Sequence, residues 1–329
     1  MKPLFVFLAL SVLGISARAE VDAQSDLEKR LNRHPQELAI QLSNAYGQSF
    51  NQISYIPALQ LVGKYRLAGL TEDQTLATEV RELAEKAPQA KNLGGSVVAG
   101  HLIFAELGMK GRVAHAASKI PNHNQMSDGV FMGCPTLAAA GKFDDCLSLL
   151  QEMKRLCLRE DGIYRHSPLD EAAWGRGNGF PALGLAWALD YVPGDFEGRA
   201  EILTSLQDHL AALAKHQDAE GMWHQVIDHP ESYAEFTGTC MITYAMLHGL
   251  RNGWLDRATY EPIVDRAWNA IKTRIALDGE SLTNVCESTG KQKSLEAYFQ
   301  RRAINGRDQR GGAMALMVST ERALWERDR

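Results

Sequence analysis

Apolar residues recur at helical spacing along most of the chain. Leu38, Leu42, Ala45 and Tyr46 give one example of the spacing that lines a single face of an α-helix. The same pattern predicts helices at residues 96–107, 129–140, 182–191, 199–216, 236–251, 261–274 and 312–324. Turn signals rich in glycine, proline and asparagine separate these stretches. The sequence therefore predicts a mainly α-helical protein.

The short connections between these helices favour antiparallel helical hairpins. About ten to twelve helices fit a closed ring of hairpins better than a four-helix bundle. An open helical solenoid is the alternative, but no repeat with a period of about 20 to 50 residues is visible. No linker-like composition divides the chain, so residues 20–329 are predicted to form a single domain.

The amino-terminal segment has the pattern of a secretory signal peptide. Lys2 precedes an apolar run at residues 4–15, and the small-x-small sequence at 17–19 suits cleavage. The run is about a dozen residues, shorter than the roughly 20 that span a bilayer as a helix. Residues 1–19 are thus predicted to be removed, leaving an exported protein, periplasmic or secreted, that is not held in a membrane.

Charge and cysteine content narrow the functional classes. The formal net charge is −5 and no long basic tract is present, which argues against a nucleic-acid-binding protein. The five cysteines contain no C-x-x-C pair. The apolar helical patterns around Cys134, Cys157 and Cys240 favour mostly buried thiols, with one or two disulfides as the alternative. The five cysteines are Cys134, Cys146, Cys157, Cys240 and Cys286. The pattern makes no prediction of oligomeric state.

Three segments interrupt the helical pattern and carry polar and aromatic residues, at 121–128, 161–180 and 220–235. In 174–180 glycines alternate with Trp174, Arg176, Asn178 and Phe180, so an extended backbone would place these four side chains on one face. Aromatic rings and a guanidinium suit a sugar acid. The alternative is that the glycines only permit a tight turn before a helix that starts at Pro181.

Candidate catalytic groups lie in the same segments. Asp128, taken alone, is interpreted as an electrostatic cap at a helix start, which favours its charged form. To act as an acid it would need burial or a nearby negative charge to favour its protonated form. The loop histidines His123, His166 and His224 have neither the H-E-x-x-H pattern nor one-turn spacing, so no metal is predicted. A G-x-S-x-G elbow and a phosphate-binding loop are absent from the sequence, and no cofactor is predicted.

Six segments together carry a resemblance to a known family. They are MSDGVFMG at 126–133, WGRGNGF at 174–180, GMWHQVID at 221–228, SY at 232–233, ESTG at 287–290 and GGA at 311–313. In this order they resemble the unsaturated rhamnogalacturonyl hydrolases and the related unsaturated glucuronyl hydrolases. The resemblance spans most of the chain after residue 19.

The resemblance implies an all-α (α/α)6 barrel and a glycosidase that removes a terminal 4,5-unsaturated uronic acid from lyase-generated oligosaccharides. It implies that Asp128 is the general acid/base and protonates the C4=C5 double bond, after which water adds at C5. The implied uronate subsite contains Met132, His166, Trp174 and Arg176. Further predicted substrate-binding residues are Asn92, His123, Asn178, Phe180, Trp223 and His224.

Two positions depart from the family pattern. Phe180 stands where the family usually has tryptophan, which keeps stacking area but loses the indole donor. Asn92 corresponds to an acidic position of the glucuronyl relatives and cannot accept a proton. A catalytically silent carbohydrate-binding protein on the same fold therefore remains one alternative, and another toroidal sugar enzyme such as an epimerase is a second.

Overall fold

The computed structural model describes residues 24–119 and 125–329. The predicted signal peptide and His123 lie outside these residues. The helices are α1 (24–31), α2 (Pro35–Ala45), α3 (Tyr55–Thr71), α4 (Gln74–Glu85), α5 (Gly95–Ala99), α6 (Leu102–Glu106), α7 (Lys110–Ala116), α8 (Gly129–Ala139), α9 (Phe143–Cys157), α10 (Gly175–Ala188), α11 (Arg199–Ala214), α12 (Phe236–Arg251), α13 (Arg257–Thr273), α14 (Leu295–Phe299) and α15 (Gln309–Arg327). The strands are β1 (Trp223–His224), β2 (Ala234–Glu235), β3 (Leu282–Cys286) and β4 (Ala303–Gly306), paired as two antiparallel hairpins.

The helices form two concentric rings. The inner ring runs α3, the α5–α6 pair, α8, α10, α12 and α15, and α15 packs back on α3. Outside it lie α2, α4, α7, α9, α11 and α13, each packed on an inner neighbour. Because each outer helix carries the chain back between inner helices, all six inner positions run in the same direction. The predicted (α/α)6 barrel is confirmed.

The inner and outer helices differ in how many of their faces are buried. Every residue of α10 is buried, because the helix is covered on all sides by its neighbours and the barrel interior. The outer helix α9 is amphipathic, with one face exposed to solvent. Its buried residues are Cys146, Leu149, Leu150, Met153 and Cys157. The outer helices thus shield inner helices such as α10 that are buried on every side.

The structure corrects the prediction for residues 174–180. This segment is not extended, because α10 begins at Gly175 rather than near residue 182. The glycines permit close packing: a Cβ on Gly175 would lie 2.5 Å from the carbonyl oxygen of His224, and one on Gly179 would lie 3.0 Å from Cβ of Met241. The single strip of four side chains was therefore wrong, since residues two apart on a helix point to opposite sides.

Two further differences concern element boundaries. The helix predicted at 96–107 is broken into α5 and α6, and Gly100 at the break approaches the backbone of Ser54 so closely that a Cβ would lie 2.7 Å from its nitrogen. The β3–β4 hairpin was not predicted. It carries a register irregularity between Leu282 and Val285 and places a loop over the end of the barrel at which the inner helices begin.

A charge network with His248 and Glu321 at its buried centre lies at the end of the barrel where the inner helices finish. Arg66 of α3 contacts Glu106 at 2.6 Å, and His248 of α12 lies 2.7 Å from Asp190 and 2.9 Å from Glu321 of α15. Burial alone would lower the pKa of His248, but the two facing carboxylates raise it to about 9. These pairs connect α3 with α6 and α12 with α15 at this end of the ring.

Two findings bear on the class of protein. All five cysteines are buried and free, in agreement with the interpretation as buried thiols. Among the described residues, none of the helices is long and apolar enough to span a bilayer.

Candidate active site

A cavity of about 250 Å³ lies at the end of the barrel where the inner helices start. The first turns of α3, α5, α8, α10 and α15 all contribute side chains to its wall, and Ser288 and Thr289 of the loop after β3 complete it. Each helix start presents partly positive N–H groups, so several starts around one cavity favour an anionic ligand. The fold therefore supplies a site suited to a negatively charged molecule.

Asp128 lies at the start of α8 and lines this cavity. Its side chain makes no capping hydrogen bond, although the residue occupies the cap position. The residue is 8% exposed, and among the described residues Oδ1 has no hydrogen-bond partner. Asp128 thus occupies the predicted position at a helix start, but without a capping hydrogen bond its carboxyl group is available to a ligand.

Three acidic residues of the loops that interrupt the helical pattern have partners of their own. Asp161 pairs with Arg159, and Glu171 pairs with Arg165, both near the surface. Glu235 is fully buried and caps α12. The surroundings of the Asp128 carboxyl group are therefore the cavity on one side and His166 on the other. Nε2 of His166 lies 3.3 Å from Oδ1 of Asp128.

Arg176 lies in the first turn of α10 and is 2% exposed. Its Nη1 donates to the carbonyl oxygen of Cys286 at 2.8 Å and to Oγ1 of Thr237 at 3.1 Å, and its Nη2 donates to the carbonyl oxygen of Glu287 at 2.9 Å. Its guanidinium carbon lies 4.5 Å from the ring centroid of Trp174. These contacts hold the charge rigidly and leave other N–H groups for a ligand, since guanidinium has five.

Arg310, at the start of α15, brings a second positive charge to the cavity. Its Nη1 donates to the same Cys286 carbonyl oxygen at 2.7 Å, so both guanidinium groups are anchored at one point. The neighbouring Tyr55 lines the cavity as well, and burial raises the pKa of its hydroxyl, which stays protonated at neutral pH. Two cations and a hydroxyl donor thus surround the space in front of Asp128.

Aromatic side chains form the apolar part of the wall. Phe180 stacks on Phe131 with ring centroids 5.6 Å apart, and the edge of Tyr55 meets Phe180 at 5.7 Å. Trp174 is buried, and its Nε1 has no hydrogen-bond partner among the described residues. Flat apolar surface beside fixed polar groups is typical of small-ligand sites.

The structure brings five sequence-predicted residues together in the cavity wall: Asp128, Met132, Trp174, Arg176 and Phe180. His166 lies directly behind Asp128. Asn92 does not line the cavity. It is exposed and lies beside a separate depression that is also lined by Gln52 and Val97. The adjacent residues Gly95 and Ser96 line the cavity instead.

Three other sequence-predicted residues stabilise the local fold. Asn178 is buried and bridges the backbone of Tyr164, accepting from its nitrogen at 2.7 Å and donating to its oxygen at 2.8 Å. Trp223 donates from Nε1 to Leu213 at 2.7 Å. His224 lies between the carbonyl oxygen of Ser232 and the carboxylate of Asp218 and does not line the cavity.

Sequence reasoning missed Tyr55, Arg310 and the role of the loop that carries Ser288 and Thr289. A signal existed for two of these, because ESTG at 287–290 and the glycines after Arg310 were among the segments that carried the resemblance. Nothing in the local pattern around Tyr55 marks it. Within the described ranges, no group of three metal-binding side chains comes together.

Comparisons with known proteins place this architecture in a family. The family model for Glycosyl Hydrolase Family 88 matches residues 105–324. An unsaturated 3S-rhamnoglycuronyl hydrolase from Formosa agariphila is 37% identical over 100 residues, covering 30% of this chain and 26% of that protein. An unsaturated rhamnogalacturonyl hydrolase from Bacillus subtilis is 34% identical over 127 residues, covering 39% of this chain and 35% of that protein.

The matched stretches span about a quarter to a third of the length of these two curated relatives. The fold agrees over a much longer stretch. A solved structure of a family 88 glycosyl hydrolase from Bacteroides vulgatus has a TM-score of 0.74 and 20% identity, covering 89% of this chain and 100% of that chain. The family match covers more than half of the sequence and includes the start of α8 and the whole of α10. The chain belongs to glycosyl hydrolase family 88.

Proposed function

We propose that this protein is a glycosidase that removes a terminal 4,5-unsaturated uronic acid from short oligosaccharides. The observation that carries the proposal is the carboxyl group of Asp128, which is buried, has no partner at Oδ1 in the part of the chain that the structure describes, and lines a cavity together with Arg176. The two curated relatives, an unsaturated 3S-rhamnoglycuronyl hydrolase and an unsaturated rhamnogalacturonyl hydrolase, support the same reaction class.

The reaction begins with protonation of the C4=C5 double bond. Asp128 donates its proton to C4, positive charge develops at C5 and the ring oxygen, and water adds at C5. The resulting carboxylate of Asp128 accepts the proton that the water loses. The hemiketal at C5 then opens the ring, and the neighbouring sugar leaves with its hydroxyl restored. The sum is the addition of one water molecule, and the sequence of steps requires no cofactor.

Charge decides how the substrate is held. The uronate carboxylate is anionic, and the cavity offers Arg176, Arg310 and several helix starts. Arg176 is the better anchor because its guanidinium is fixed on two backbone carbonyl oxygens and stacked on Trp174. The ring face of the sugar then packs on the aromatic wall around Phe180.

The location of the protein is a second part of the proposal. The amino-terminal pattern of residues 1–19 favours export, to a periplasm or out of the cell, where lyase products would be the oligosaccharide substrate. Cell fractionation with an antibody against the mature chain checks this, and accumulation of a protein that retains residues 1–19 in the cytoplasm contradicts it.

The activity is tested with unsaturated disaccharides prepared by lyases from pectin, ulvan and glycosaminoglycans. Turnover destroys the conjugated double bond, so the ultraviolet absorbance of the substrate falls with time. The substrate that loses absorbance fastest identifies the polysaccharide. An absence of decay with every uronate linkage rejects the proposal, and binding without decay favours the silent carbohydrate-binding alternative.

Asp128→Asn tests the assigned acid. Because asparagine cannot donate an acidic proton, kcat should fall by about 100-fold or more, the usual contribution of a positioned general acid. Saccharide binding, measured by calorimetry, should persist. Asp144→Asn is the matched control, because it makes the same change in the first turn of the outer helix α9 at an exposed position. Equal activity in the two variants would remove Asp128 from the mechanism.

A further inference from the structure

His166 is held between two aromatic residues directly behind Asp128. Its ring is fully buried, 4.5 Å from the ring of Trp174 and 5.7 Å from that of Tyr298. Its backbone oxygen accepts from the nitrogen of Ser127 at 3.0 Å, which ties this loop to the residue next to Asp128. The imidazole therefore has little freedom to move relative to the carboxyl group.

The proton arrangement around Nδ1 of His166 follows from the partners of Tyr298. Nδ1 lies 2.8 Å from the hydroxyl of Tyr298, and that hydroxyl accepts from the backbone nitrogen of Gln292 at 3.2 Å. Burial raises the pKa of Tyr298 to about 12, so the hydroxyl keeps its proton at neutral pH. Within the described part of the chain this hydroxyl has no other acceptor, so its proton is directed at Nδ1 of His166.

The consequence appears at the other ring nitrogen. A neutral imidazole that accepts at Nδ1 carries its hydrogen on Nε2. Nε2 lies 3.3 Å from Oδ1 of Asp128, and among the described residues each of these buried atoms lacks a properly aligned hydrogen bond. Such contacts between catalytic groups are often long or misaligned before the ligand binds.

We propose that Tyr298 is a positioning residue that fixes the Nε2–H tautomer of His166 and thereby directs the acidic proton of Asp128. With an N–H facing Oδ1, this oxygen acts as the acceptor, and the transferable proton resides on Oδ2. The acid would otherwise be free to carry its proton on the oxygen that faces the protein. The effect on catalysis rests on the proposed function, whereas the tautomer does not.

The test uses Tyr298→Phe, which keeps the ring and removes only the hydroxyl. Tyr164→Phe is the matched control, because Tyr164 is also buried and meets a histidine ring edge-on, that of His209, with centroids 4.9 Å apart and no hydrogen bond between the two side chains. Both variants are compared with the unaltered protein by circular dichroism, so a folding defect is seen directly. Steady-state rates are measured on the best unsaturated disaccharide.

Two readouts are expected to change together. Nitrogen-15 spectra of histidine-labelled protein, with the His166 signals assigned by their loss in His166→Gln, should show the Nε2–H tautomer and a mixture of tautomers in Tyr298→Phe. The kcat of Tyr298→Phe should fall about 10- to 100-fold, as is typical when the group that orients a functional histidine is removed. KM should change little, because Tyr298 is not among the residues that line the cavity.

The outcomes separate this proposal from the proposed function. An Nδ1–H tautomer in the unaltered protein overturns the proposal even if the enzyme is fully active. So does a kcat for Tyr298→Phe equal to that of Tyr164→Phe in a folded, active enzyme. Absence of turnover on every substrate defeats the proposed function alone, because the tautomer assignment is still read from the spectra.

Discussion

Replacing Glu235 with glutamine should weaken the fold and the site together. Glu235 is fully buried at the start of α12, where Oε1 accepts from the nitrogen and hydroxyl of Thr237 and from the nitrogen of Cys286, and Oε2 accepts from the nitrogen of Gly238. Its Oε1 also lies 4.0 Å from Nη1 of Arg176. One carboxylate thus caps an inner helix, holds the end of β3 and partners the buried cation of the cavity.

The magnitude follows from these contacts. Glutamine keeps one acceptor oxygen, so its amide nitrogen must face a backbone N–H and one of the four hydrogen bonds is lost. Hydrogen bonds to a charged group contribute about 1.5–3 kcal/mol each, and breaking a buried ion pair costs about 3–5 kcal/mol. Because three bonds survive in weaker, uncharged form, the free energy of unfolding should fall by about 3 kcal/mol.

Urea unfolding, followed by tryptophan fluorescence, measures the change. Asp256→Asn is the matched control: Asp256 caps the outer helix α13 through Thr259 in the same way but is exposed, so its loss should be clearly smaller. Glu235→Gln should also raise KM for unsaturated disaccharides, because Arg176 loses its buried counter-charge. A destabilisation no larger than that of Asp256→Asn would refute the argument from burial and charge.

Two further predictions concern pH and packing. The facing Glu321 and Asp190 raise the pKa of His248 above its usual value of 6.5, to about 9, so its contribution to stability is fully present below 6.5 and lost as pH rises through 9. Unfolding free energy should fall over that interval by about 3 kcal/mol in the unaltered protein and much less in His248→Gln; parallel pH profiles would contradict this. Gly177→Ala would place a Cβ 3.0 Å from Cε3 of Trp174 and 3.5 Å from Cδ2 of His166, so kcat/KM should fall about tenfold, the effect of a small displacement of catalytic groups. The matched change Gly69→Ala, at a helical glycine with open space around it, should leave kcat/KM unchanged, and equal rates in the two variants would exclude the packing argument.

The pattern of apolar residues and turn signals predicted helix bounds best where no long-range packing opposes local propensity. The predicted bounds 236–251 match α12, because its apolar run ends in ordinary turn chemistry at Asn252 and Gly253. The start of α10 was missed because glycine has poor helix propensity, and close packing against other backbone segments overrides that propensity. Propensity describes an isolated segment, and these contacts come from elsewhere in the chain.

The candidate site could be predicted only in part for a similar reason. Asp128 and Arg176 lie in segments whose composition already suggested chemistry, and both line the cavity. The residues that complete the site come from distant segments that the ring brings together: Tyr55 from the start of α3, and Tyr298 from α14 behind His166. No spacing along the sequence indicates such a meeting. It follows only from closure of the ring.

The ring closes through α15, the last helix in the order of elements, which packs on α3 near the start of the chain. Its residue Gln309 accepts from Gln60 of α3 across 249 positions of sequence, and Leu316 packs on Gly63 so closely that a Cβ there would lie 2.7 Å away. During synthesis, everything before α15 can form only an open arc with two unsatisfied edges. Contacts this distant in sequence are slow to form, and Arg310 arrives with the same helix. The cavity wall is therefore complete only once α15 has docked between α12 and α3, and a chain without α15 would lack Arg310 in the site.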